Sequence, residues 1–75
     1  MKRFAVVLEK GETSYGAYVP DLPGCVAVAE TLDEVKVLIR EAIEFHIEGM
    51  RLQGLAIPEP TSQIAYVEAE DAAVA

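Results

Sequence analysis

Apolar and non-apolar positions alternate with a period of two in the first third of the chain and then switch to a helical period. In residues 2–9, Phe4, Val6 and Leu8 fall on one face and Ala5 and Val7 on the other, which predicts a β-strand. Lys10 to Ser14 form a polar loop of hairpin length, and residues 15–19 (YGAYV) resume as a second strand with an unpacked spot at Gly16. Pro23-Gly24 supplies the fixed φ and the positive-φ residue of a type II turn. Residues 25–30 (CVAVAE) then read as a third strand. Strands joined by turns this short form an antiparallel meander.

Thr31 opens the helical stretch. Thr31-Leu32-Asp33-Glu34 is a capping box, and its acids suit the positive end of the helix. Leu32, Val35, Leu38, Ile39, Ala42, Ile43, Phe45, Ile47, Met50 and Leu52 fill one broad apolar arc. Asp33, Arg40, Glu41, Glu44, Glu48 and Arg51 hold the other side. The arc spans about 220°, far wider than the ~100° stripe one sheet requires. Gln53-Gly54 suits the stop, with Gly49 as an earlier candidate. Residues 56–62 form a proline-containing connector, 63–68 (QIAYVE) a fourth strand, and 69–75 a frayed tail.

The expected fold is therefore α+β, a single domain over residues 1–75 in the order βββαβ. One helix covers one face of a sheet, yet Val26/Val28 and Ala27/Ala29 put apolar groups on both. The uncovered face and the wide helix arc point to association, with a homodimer as the default. The plainer alternative is that Ala and Val on an open face serve only as strand formers.

Charge narrows the partners. Thirteen acidic and six basic residues among 75 give a net charge of −7. Such a surface repels phosphate backbones, so direct nucleic-acid binding is not expected. A basic protein partner is favoured, although acidity also serves solubility alone. No apolar run is long enough for a membrane span and no leader precedes the first strand. One cysteine makes no internal disulfide. These features together predict a cytoplasmic protein.

Candidate chemistry is sparse. The chain has no phosphate loop, dinucleotide fingerprint or metal-ligand spacing, so neither cofactor nor metal is expected. His46 reads as a general base or, more plainly, as a partly buried histidine. Cys25 reads as a turn-exposed thiol or as an inert buried one. Glu9, Asp21, Glu30 and Glu68 lie at element ends; they would serve a Mg²⁺-dependent nuclease only if they converged, and otherwise are solvated charges. Tyr15, Tyr18, Asp21, Leu22 and Pro23 form the most distinctive local cluster. Its tyrosines and rigid bend supply interface area at low entropic cost, or else pack on the sheet and shape the turn.

Residues 15–25 (YGAYVPDLPGC), followed by 30–34 (ETLDE), 39–49 (IREAIEFHIEG) and 57–60 (IPEP), resemble the HicB family, the antitoxins of HicA–HicB toxin–antitoxin pairs. The resemblance covers nearly the whole chain. It implies a partial ribonuclease H-like fold, with the helix on a four-stranded sheet and the last strand beside the first. It also implies a non-enzymatic role, in which the protein binds a small basic HicA-type mRNA endonuclease and occludes its active site. Tyr15, Tyr18, Asp21, Leu22 and Pro23 are the candidate contact residues. Many family members continue into a DNA-binding domain that is not present here, so autonomous operator binding is not expected. Ribonuclease H chemistry is not inherited either, because residues 2–8 contain no acid. The alternatives are an orphan oligomeric module with a regulatory role, or a residual Mg²⁺-dependent nuclease.

Overall fold

A computed structural model describes residues 2–71. Its elements are β1 (Val7–Lys10), β2 (Tyr15–Tyr18), β3 (Val26–Ala29) and α1 (Leu32–Leu52). The strands form one antiparallel sheet in the order β1-β2-β3. Leu8 pairs with Ala17 and Ala17 with Ala27, so these three side chains share a face. On the other face, Val7, Tyr18 and Val26 stand in a row.

Three local devices set the path. Gly11 N–H donates to the Ser14 carbonyl at 2.8 Å and closes the first hairpin. Between β2 and β3 the chain makes two turns in succession. Leu22 N–H donates to the Val19 carbonyl (3.1 Å) and Cys25 N–H to the Leu22 carbonyl (3.0 Å). Gly24 takes φ +85°, which a side chain would strain. Thr31 caps α1 as its sequence suggests: Glu34 N–H donates to Thr31 Oγ1 at 3.1 Å, and that hydroxyl donates to the Glu34 carboxylate at 2.9 Å. The helix runs past Gly49 and stops at Gln53, with Gly54 at φ +72°.

The core lies between the Ala17 face of the sheet and α1. Ala17, Val19, Leu22, Cys25, Val35 and Ile39 are buried, and Phe4, Val6, Tyr15, Ala42, Ile43 and Ile47 pack around them. The opposite sheet face is open, with Val26 and Val28 mostly exposed.

Two expectations are corrected. Residues 2–6 are not part of β1: β2 ends at Tyr18 because Pro20 offers no N–H and the chain folds back, leaving those residues without a ladder partner. Residues 63–68 form no strand, because no other strand lies beside them; Tyr66 and Val67 project into solvent. Among the described residues the architecture is thus α+β with three strands and one helix. The tail expected at 69–75 falls largely outside the described residues.

Candidate functional site

The turn cluster divides in the structure. Tyr15 and Tyr18 are three residues apart on one strand and therefore point to opposite faces. Tyr15 packs half-buried against the core, whereas Tyr18 is 40 % exposed on the open face beside Val26. Leu22 is 1 % exposed and holds the turn from inside, while Pro23 is exposed at its crest.

Asp21 is a clasp. Its carboxylate accepts four hydrogen bonds from the connector: Thr61 N–H (3.0 Å), Thr61 hydroxyl (3.2 Å), Ser62 N–H (2.9 Å) and Ser62 hydroxyl (2.9 Å). The Ser62 N–H is the largest of the influences that hold this carboxyl below its ordinary range; partial desolvation opposes it. A depressed carboxyl contributes stability that is fully present above its unfolded-state value and is lost as pH falls through the folded-state value. The Thr61 and Ser62 amide chemical shifts are therefore expected to titrate together, with a midpoint below the usual aspartate range. Asp21→Asn should abolish that titration. Amides that stay flat in the wild-type protein would remove the clasp.

A second surface lies on α1. Leu38, Phe45 and Leu52 recur every seven residues, forming a coiled-coil-type stripe that borders the core-packed Ala42. Phe45 is 83 % and Leu52 77 % exposed. Glu34, Glu41 and Glu48 recur at the same spacing along one border of this seam. Glu48 is paired with Arg51 at 2.7 Å, and Glu34 is engaged at the cap. Sequence reasoning merged these apolar residues with Val35, Ile39 and Ile43 into one arc. The heptad spacing, distinct from the core line, was the signal that separates them.

The remaining candidates do not assemble into a reactive centre. His46 is half-buried on the core side of α1. Cys25 is 3 % exposed, and burial pushes its thiol up, away from the reactive thiolate. Among the described residues, no group of three or more His, Cys, Asp or Glu is placed to hold a metal ion, so Glu9, Asp21, Glu30 and Glu68 do not converge. Among the same residues no helix is long and apolar enough to cross a membrane.

Comparison with known proteins gives this geometry its context. The profile of the "HicB_like antitoxin of bacterial toxin-antitoxin system" matches residues 4–73. A UPF0150 protein of Helicobacter pylori strain J99 is 38 % identical over 63 residues, covering 83 % of this chain and 88 % of that protein. A UPF0150 protein of Archaeoglobus fulgidus is 47 % identical over 47 residues, 61 % of this chain and 68 % of its own. An "Uncharacterized 14.9 kDa protein in rep-hol intergenic region" of Haemophilus phage HP1 is 36 % identical over 64 residues, 85 % of this chain. The chain spans only about half the length of that phage protein, 48 %. With the antitoxin profile running through the strands, the turn, the helix and the connector alike, the chain belongs to the HicB-like antitoxin family of bacterial toxin–antitoxin systems.

Proposed function

We propose that this protein is the antitoxin of a toxin–antitoxin pair and inhibits a small basic HicA-type mRNA endonuclease by covering its active site. The observation that carries the reading, beside family membership, is the exposed Leu38–Phe45–Leu52 seam bordered by glutamates on a chain of net charge −7. An apolar strip supplies affinity once water is excluded, and the acidic border steers a cationic partner to it. Tyr18 and Pro23 on the turn side of the sheet form a secondary contact in this proposal. Asp21 and Leu22 act by holding that turn.

The same reading makes the protein non-enzymatic, cytoplasmic and independent of cofactors, a single domain that works as a homodimer. The fourth strand of a ribonuclease H-like sheet forms only on assembly. The experiment is to capture the tagged protein from its native cells and identify co-purifying proteins by mass spectrometry. The expected result is a stoichiometric basic protein of under about a hundred residues whose RNA cleavage stops on complex formation. A captured nuclease that stays fully active in the complex would overturn the proposal.

A further inference from the structure

We infer that residues 63–70 of one copy dock into the groove between residues 2–8 and α1 of a second copy, in a reciprocal exchange that completes both sheets. Residues 63–70 are exposed and carry no regular structure, yet their pattern is that of a strand: Ile64 is 51 %, Tyr66 95 % and Val67 86 % exposed. A tyrosine so fully bared within a strand pattern marks a segment whose partner lies elsewhere.

The receptor is on the same chain. A groove of about 650 Å³ opens between Phe4, Val6 and Leu8 on one side and Ile39, Ile43 and Ile47 on the other. Residues 2–6, which form one of its walls, have no strand neighbour among the described residues, so their backbone is an edge ready to accept one. Charge matches as well. Lys2, Lys36 and Arg40 stand at the groove, half of the six basic residues in an acidic chain. Glu44 is the one acid lining it, paired with Arg40 at 3.8 Å, while Glu59 engages Lys2 at 3.0 Å. The arm runs from apolar Ile64–Val67 into Glu68 and Glu70. An apolar stretch followed by acids thus meets an apolar groove rimmed by bases.

The geometry favours a second copy over the arm's own groove. Asp21 anchors Thr61 and Ser62, and Ser62 to Ile64 start beside Arg3 to Ala5. Beyond that anchor residues 63–70 are exposed, and none of them lines the groove of their own chain. The radius of gyration is 15.4 Å and the longest extent 56 Å, against about 11 Å expected for the radius of a compact chain of this length. Two chains with the same projecting strand and the same open slot satisfy one another by two-fold exchange.

The inference rests on the homodimer part of the proposed function and is independent of any toxin. The test is the mass of the purified full chain by sedimentation or light scattering across a concentration series. The wild-type protein is expected at twice the chain mass, and Tyr66→Asp should raise the dimer dissociation constant about tenfold or more. Tyr66 is exposed, so the far-UV spectrum should not change. The double variants K36E/R40E and E68K/E70K should each dimerise poorly, and mixing them should restore a heterodimer, because each arm then meets a groove of opposite charge. A wild-type monomer at high micromolar concentration would overturn both the exchange and the homodimer. A dimer unaffected by Tyr66→Asp, or a mixture that restores nothing, would overturn the exchange alone.

Discussion

Leu22→Ala is expected to cost about 2–5 kcal/mol and to leave much of the protein unfolded under mild denaturing conditions. Among the described residues, Leu22 and Val35 are the largest fully buried side chains, in a core with only six buried residues. A chain of 75 residues has roughly 4–11 kcal/mol of total stability, so one such cavity removes a large share of it. Leu22 also lies between the two turns that join β2 to β3, and its carbonyl accepts the Cys25 N–H. Collapse of the site around a smaller side chain would have to bend that turn, which limits relaxation. Urea unfolding at fixed protein concentration should show a midpoint lower by about 2–5 M, given a slope near 1 kcal/mol/M for a protein this small. The matched control is Val28→Ala, on the open face of the same sheet and 66 % exposed, which should move stability by no more than about 0.5 kcal/mol. A Leu22→Ala loss below 1 kcal/mol would mean that the turn is not part of the core.

That contrast shows where the sequence was informative. Local chemistry was legible: the Thr31 cap, the Pro23-Gly24 turn, the Gly54 stop and the alternation that separates Val26 and Val28 from Ala27 and Ala29 all act within a few residues. Features that require a partner distant in the chain were not. Residues 2–6 and 63–68 carry strand patterns as good as that of β3, but a pattern specifies a face and not a neighbour. Asp21 was legible as a turn acid; its bonds to Thr61 and Ser62 span forty residues, which no local rule reaches. Tyr15 and Tyr18 read as one cluster because they are close in sequence, although strand parity sends them to opposite faces. The wide helix arc was real, but it contains two stripes: Val35, Ile39 and Ile43 serve the core, while Leu38, Phe45 and Leu52 remain outside. The arc's width gave the sum of these stripes and hid their separate spacing.

The outer stripe leads to the second large effect. Phe45→Ala is expected to leave the urea midpoint nearly unchanged, because the ring is 83 % exposed and alanine suits a helix interior. Toxin binding should nevertheless weaken by about 2 kcal/mol or more, close to 30-fold, as for a buried aromatic at the centre of an interface. That loss should fall on the dissociation rate. Glu41→Lys, on the acidic border, should act differently. It reverses a steering charge, so it should slow association and flatten its salt dependence, with less effect on dissociation. Surface-plasmon or stopped-flow kinetics with the captured toxin separate the two. Normal binding by Phe45→Ala together with a loss in Tyr18→Ala would move the contact from the helix seam to the open sheet face. The helix flank that borders the arm groove, with Lys36 and Arg40, has the opposite charge from the flank with Glu34, Glu41 and Glu48. If both proposals hold, a basic toxin would be drawn to one side of α1 and an acidic arm to the other, so one helix would accept both partners without competition.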